Sequence, residues 1–193
     1  MQTFQNTTST SLAVALGANI SSTAGTPTST MRAVRPKLKN TISNWISSSL
    51  KDKKHLESIS KSLRWRWSPL FETEPVGGPK GQPPFINAVL VVDGPRLIAL
   101  EPSEEAATDL LEKFLTLEKD FGRDRSKSSN HWGPRSLDLD LLAWGALQIK
   151  SNTLTLPHPR LIERSFVVVP LAAALMKGIQ PPRQIPPAKN WLE

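Results

Sequence analysis

Asp138 and Asp140 are the residues of this chain whose type and spacing most directly suggest chemistry. They lie in the run Trp132-Gly133-Pro134-Arg135-Ser136-Leu137-Asp138-Leu139-Asp140-Leu141-Leu142, a rigid turn leading into a strand. From Leu137 to Leu141 leucine and acid alternate, and side chains on a strand alternate between its faces. The two carboxylates therefore share one face, roughly 7 Å apart at about 3.4 Å of rise per residue. Leu137, Leu139 and Leu141 point the other way, into a core. Like charges this close raise each other's pKa. A cation between them removes the conflict, and hard carboxylate oxygens suit Mg²⁺, which takes one or two carboxylates plus substrate phosphates. Arg135, just upstream, adds a planar donor fork matched to phosphate oxygens. Taken alone, the acid pair reads more simply as the outer face of a half-exposed strand. The rest of the chain reverses that preference.

The elements that must position this pair can be read in order. Residues 11–16 (Ser-Leu-Ala-Val-Ala-Leu) form a short buried strand ended by Gly17-Ala18-Asn19. After a small, polar loop, Thr28 or Ser29 caps a helix following Pro27, and Val34, Leu38, Ile42, Trp45, Ile46 and Leu50 recur at helical spacing to residue 50. Lys51 to His55 is a charged connection, with His55 a solvated loop histidine. Residues 63–72 read as one strand carrying Trp65, Trp67 and Phe71. The tryptophans suit core packing, or less simply a platform for nucleic-acid bases. Residues 73–84, with Pro75, Gly77, Gly78, Pro79, Gly81, Pro83 and Pro84, are a loop by composition. Residues 85–92 form an apolar strand with one amide, Asn87, which must bond either backbone or ligand when buried.

Pro102-Ser103-Glu104-Glu105 opens a second helix, acids first as the helix dipole favours, and Gly122 ends it. A basic, polar loop from Arg123 to His131 leads to the acid strand, which runs through Trp144. A turn with a short strand spans 145–150, and 154–156 is extended up to Pro157. Residues 159–164 suit a short helix, and 166–176 an apolar, partly helical segment. No internal repeat is present. The order is βαββαβ with a helical tail. It predicts an α+β fold of ferredoxin-like type, an antiparallel sheet with helices on one face and the other face free for a ligand.

Composition narrows the classes. A chain of 193 residues fits a single domain over 1–193, with 1–10 and 178–193 as flexible or irregular tails. Without cysteine there is neither a disulfide framework nor a thiolate metal site, which fits a cytoplasmic location. No apolar run approaches the roughly 20 residues that span a bilayer, and the N-terminus lacks the pattern of a secretory signal, so no membrane is expected. A formal net charge of +7 fits an acidic partner, either nucleic acid or a polyphosphate ligand, and fits plain solubility equally.

Asn87 after a proline-rich loop, Gly122-Arg123 at a helix end, the Trp132–Asp140 run and Leu156-Pro157-His158-Pro159 followed by Arg164-Ser165-Phe166 occur together and in order. Over roughly residues 11–176 the chain thereby resembles the 6-hydroxymethyl-7,8-dihydropterin pyrophosphokinases of folate synthesis. The run from Gly133 to Asp140 is the most specific part. The resemblance implies an enzyme that moves pyrophosphate from ATP to the pterin hydroxymethyl group, releasing AMP. It implies that Asp138 and Asp140 hold two Mg²⁺ ions. Arg123, Arg125 and Arg135 would surround the triphosphate, and Trp132 would close a loop over the nucleotide. His158 and Arg164 would reach ATP, and Glu118 matches a nucleotide-side position. The pterin would stack between Phe85 and Phe166, with its amide edge read by Asn87 and by backbone around Thr73 and Val76. Asp138 would also touch the hydroxymethyl side.

Departures from the family pattern are local. Ala18 stands where serine is usual, Phe85 where tyrosine is commoner, and Leu115 where a polar residue often helps hold the nucleotide. The loop between Arg125 and Trp132 is longer than in compact members, so Lys127 carries no assignment. Small-molecule substrates, no nucleic acid and a monomer or weak dimer are the partners expected. An RNA-binding module of the same element order, stacking bases on Trp65, Trp67 and Phe85, is the alternative. Against it, two acids facing outward would repel phosphates. A non-catalytic relative would be expected to have lost the acids or arginines, and both are retained.

Overall fold

The sheet sets up both faces of the molecule. In the computed structural model, which describes residues 10–51, 56–124 and 132–176, the chain begins with β1 (Leu12–Ala18) and α1 (Pro27–Ser49). It continues through α2 (Leu56–Lys61), β2 (Arg64–Trp67), β3 (Phe71–Thr73), β4 (Phe85–Asp93) and α3 (Pro95–Ile98). Then follow α4 (Glu104–Asp120), β5 (Asp138–Trp144), the small strands β6 (Ile149–Lys150) and β7 (Thr155–Leu156), and α5 (Ser165–Leu175). The main sheet runs β2-β4-β1-β5, with β3 also on β4, and every pairing is antiparallel. The protein is thus an α+β fold with an antiparallel sheet. No helix among the described residues is long and apolar enough to cross a membrane.

Alternation decides which residues go where. Leu12, Val14, Leu16 and Ala18 of β1, Leu90 and Val92 of β4, and Leu139 and Leu141 of β5 face α1 and α4, forming the main core with Val34, Leu38, Ile42, Phe114 and Leu117. Trp45 of α1 meets Trp144 of β5 edge-on at 5.1 Å, and its Nε1–H donates to the Ala106 carbonyl at 2.9 Å. Such a contact adds to the burial of two large rings. The opposite residues, Ala13, Val89, Val91 and Leu142, pack with Val167 and Ala174 of α5. Pairing of β1 with β5 shifts register between Ala13 and Val14, so Leu142 and Ala143 stand together opposite Ala13. This is a β-bulge, one extra residue in the strand.

Several expectations change. Helices do not keep to one face, because α5 covers part of the second and confines the open ground to the C-terminal end of β1 and the start of β5. The stretch 63–72 is two strands. Its break at Ser68-Pro69-Leu70 follows from a proline that cannot donate to the ladder, and Ser68 bonds Val89 through both its N–H and its Oγ. Residues 159–164 form turns, not a helix. The cap of α1 is Thr26, whose Oγ1 accepts from Ser29 N–H, with Pro27 at the first helical position. Trp65 and Trp67 pack on the α1 side, with the Lys39 ammonium 5.2 Å and the Arg35 guanidinium 4.8 Å over their rings, so they form no open stacking platform. His55, Arg125 and Lys127 lie outside the described residues.

Candidate functional site

Asp138 and Asp140 open β5, on the face away from α1 and α4, where the alternation places them. Arg135 Nη1 bonds Asp138 Oδ2, and Arg123 Nη2 lies 3.3 Å from Asp138 Oδ1. Asp138 is therefore gripped by two guanidinium groups. Asp140 is not so favoured. Burial, then the neighbouring Asp138 charge, push its carboxyl up to about 6, with Arg135 and Arg164 opposing. Two half-buried carboxylates on one face form a donor set that suits Mg²⁺. No group of three or more His, Cys, Asp or Glu able to hold a metal occurs among the described residues. A metal here would therefore rely on substrate oxygens to complete its shell.

These acids sit in a cleft of about 440 Å³. It gathers nearly all the residues expected from sequence: Arg123, Arg135, Asp138, Asp140, His158 and Arg164 are its charged and titratable lining. Thr73, Val76, Phe85, Asn87, Trp132 and Phe166 supply the rest. Phe85 and Asn87 come from β4 and Thr73 from β3, while Phe166 sits in the first turn of α5, next to Arg164 at its N-cap. Asn87 is buried and donates from Nδ2 to Thr73 Oγ1 at 2.7 Å. So a side chain of Thr73, not only its backbone, shapes that edge. A Cβ on Gly17 would come within 3.1 Å of Asn87 Oδ1, so the floor of the cleft fits around the absence of a side chain there.

His158 is held as a donor. Its own N–H donates to the carbonyl of the bulged Leu142 at 2.8 Å, and its Nδ1 accepts from the Arg160 N–H at 3.2 Å. The ring proton is thereby assigned to Nε2. Burial first, then Arg164 and Arg160, keep His158 below the usual histidine range, so the ring is neutral at neutral pH. Trp132 has two neighbours at its ring: the Arg160 guanidinium lies 4.8 Å over it, and Gly77 lies against the indole. Gln82 Nε2 bonds both Trp132 O (3.1 Å) and Gly77 O (3.3 Å), tying the glycine-rich loop to the turn before β5. Gly77 has φ +80° and a Cβ there would overlap the indole, whereas Gly81 has the same φ and nothing within 4 Å. Gly77→Ala should therefore weaken substrate binding at least about tenfold, while Gly81→Ala carries only the left-handed strain of about 1–2 kcal/mol. Equal binding constants for the two variants would remove the indole contact as the cause.

Glu118 departs from its expected place. It is 0% exposed, does not line the cleft, and accepts from Leu139 N–H through Oε1 at 2.9 Å, with Arg123 Nε 4.0 Å from Oε2. It anchors the start of β5 and the base of Arg123, and contact with a nucleotide does not fit that burial. Sequence reasoning missed Gly17, Glu74, Gly77 and Val167 of the lining, and Arg160 behind Trp132. The close packing of Gly77 was hidden in a loop rich in glycine. Arg160 was open to notice, since it directly follows the His158-Pro159 pair.

The family model for 7,8-dihydro-6-hydroxymethylpterin-pyrophosphokinase (HPPK) matches residues 13–176. A 2-amino-4-hydroxy-6-hydroxymethyldihydropteridine pyrophosphokinase of Synechocystis sp. is 37% identical over 116 residues, 60% of this chain and 52% of its own. One of the same name from Haemophilus influenzae is 31% identical over 132 residues, 68% of this chain and 74% of its own. A mitochondrial folate synthesis bifunctional protein of Arabidopsis thaliana is 43% identical over 114 residues, 59% of this chain but 18% of its own. The chain thus spans about half the length of the Synechocystis relative and a small part of the Arabidopsis one. With the acid pair, its arginines and the Phe85–Asn87 edge in one cleft, and the family match running from β1 to the last helix, the chain belongs to the 7,8-dihydro-6-hydroxymethylpterin-pyrophosphokinase family.

Proposed function

We propose that this chain transfers pyrophosphate from ATP to the hydroxymethyl oxygen of 6-hydroxymethyl-7,8-dihydropterin, giving the pterin diphosphate and AMP in folate synthesis. The observation that carries this is a single cleft whose lining divides, by chemistry, into a half suited to phosphate oxygens and a half suited to a flat polar ring. In the first half lie Arg123, Arg135, Arg164, the Nε2–H of His158 and the acid pair; in the second lie Phe85, Phe166, Asn87 and Thr73. The alcohol oxygen attacks the β-phosphorus and gives up its proton to a phosphate oxygen, the bond from that phosphorus to the oxygen bridging it to the α-phosphorus breaks, and AMP leaves. Arginine forks hold the phosphate oxygens, and His158 donates to one of them. Two Mg²⁺ ions held by Asp138 and Asp140 would supply charge neutralisation at the phosphates. Phe85 and Phe166 stack the pterin, Asn87 reads its amide edge, and the Gly77–Trp132 contact excludes water, so positioning and electrostatics carry the rate.

Support for the ferredoxin-like reading of the fold comes from the strand order β2-β4-β1-β5 with antiparallel neighbours. The reading also takes in a single catalytic domain, small-molecule substrates and a cytoplasmic location, supported by the lack of cysteine. The test is AMP formation from ATP and the hydroxymethyldihydropterin, with Mg²⁺ and with chelator. Magnesium-dependent AMP that requires the pterin is expected, and no AMP under any condition would end the proposal.

A further inference from the structure

Asn19 follows the last residue of β1 and is 2% exposed. Its side chain joins segments 64 and 116 residues away in sequence. Nδ2 donates to the Pro83 carbonyl at 3.1 Å, and Oδ1 accepts from the Arg135 N–H at 2.7 Å. Its backbone N–H donates to the Arg135 carbonyl at 2.9 Å, and the Ile20 N–H shares that oxygen at 3.3 Å. Pro83 stands two residues before Phe85, and Arg135 three before Asp138. One planar amide therefore bonds the run into the ring-stacking half of the cleft and the backbone of the phosphate-binding half. The Arg135 guanidinium lies 5.8 Å over the Phe85 ring, so the two halves meet where this amide ties their backbones.

We propose that Asn19 is a positioning residue that fixes the spacing between the two halves of the cleft, so that the acceptor oxygen held by one is aligned with the phosphate chain held by the other. A primary amide suits the task because it donates and accepts from one rigid group. A carboxylate at this place keeps the acceptor and loses the donor, and alanine loses both. Each half remains built without the tie: Asn87–Thr73 and Phe85 rest on β3 and β4, while Arg123 and Asp138 rest on α4 and β5. Loss of the amide therefore acts on alignment more than on either binding event, and a misplacement of about 1 Å can cost about 10² in rate.

This inference rests on the proposed reaction, and its test separates the two. Wild-type AMP formation tests the reaction itself. For Asn19→Asp and Asn19→Ala, kcat is then compared with the dissociation constants of Mg²⁺ with a non-hydrolysable ATP analogue, and of the pterin, each measured alone. The expected result is a 10- to 100-fold lower kcat, with each dissociation constant within about threefold of wild type. Amide exchange at Arg135 should quicken in Asn19→Ala, which loses the acceptor, and less in Asn19→Asp, which keeps it. Unchanged kcat in both variants, or a loss of kcat matched by an equal rise in either dissociation constant, would overturn the alignment role. If Asn19→Ala melts below the assay temperature, Asn19→Asp alone decides between these outcomes.

Discussion

Asp140→Ala and Asp138→Ala should each lower kcat for AMP formation by roughly 10³-fold or more, with the fold intact. The reason is the charge arrangement at the head of β5. Asp140 is half-buried, and desolvation together with the Asp138 charge disfavours its ionised form until a cation arrives. Its side chain holds up no core contact, since the core side of β5 is built from Leu139, Leu141 and Trp144. Asp138 is gripped by Arg123 and Arg135, so removing it also takes a negative charge away from two guanidinium groups that line the cleft. The two variants should therefore differ in nucleotide binding: Asp138→Ala retains more ATP affinity in the absence of metal than Asp140→Ala. Circular dichroism and thermal melting would verify the fold. AMP formation near the wild-type rate by either variant would sink the acid pair as the catalytic centre.

The second expected result concerns pH. The Asp140 carboxyl is pushed up to about 6 in the folded chain from a reference of 3.8, by burial and by Asp138. Between those two values the folded state binds a proton that the unfolded state has released, so stability falls as pH rises through this window. Below both values the group contributes nothing either way. Above about 6 the folded chain carries the full cost of an ionised, partly desolvated Asp140. In chelator, Asp140→Asn should therefore melt higher than wild type at pH 7.5, with the gap closing near pH 4. Metal must displace that same proton, so Mg²⁺-dependent activity should fall by about tenfold per pH unit below about 6. A melting gap that is the same at both pH values would show that burial of the charge is not its cause.

Much of this site was legible because its chemistry lies in short, local patterns. The strict alternation from Leu137 to Leu141 fixes the face of both acids without any tertiary knowledge, and the strand delivers it. Phe85, Asn87, His158 and Arg164 were found through motif spacing, and all four line the cleft. What stayed hidden depends on contacts distant in sequence. Glu118 lies on a helix with charged neighbours, and only the approach of Leu139 N–H makes it a buried acceptor. The face chosen by α5 could not be read, because its eleven residues hold no charged side chain to mark an outside. Asn19 looked like the end of a strand, and its reach to Pro83 and Arg135 appears only when three segments meet. Short α2 and α3, of six and four residues, carry too little periodicity to be seen.

The extra residue in β5 settles a parity problem. Residues 138, 140 and 144 are all even, so an unbroken strand would send Trp144 out beside the two acids. Setting Leu142 and Ala143 together opposite Ala13 shifts the phase by one, and Trp144 swings under α1 to meet Trp45. The same irregularity presents the Leu142 carbonyl that anchors His158. Excising Leu142 would restore perfect alternation with Trp144 still inward, but it would take away the carbonyl that holds His158. The broken rhythm is thus what lets one strand serve the interior, the cleft and the histidine together.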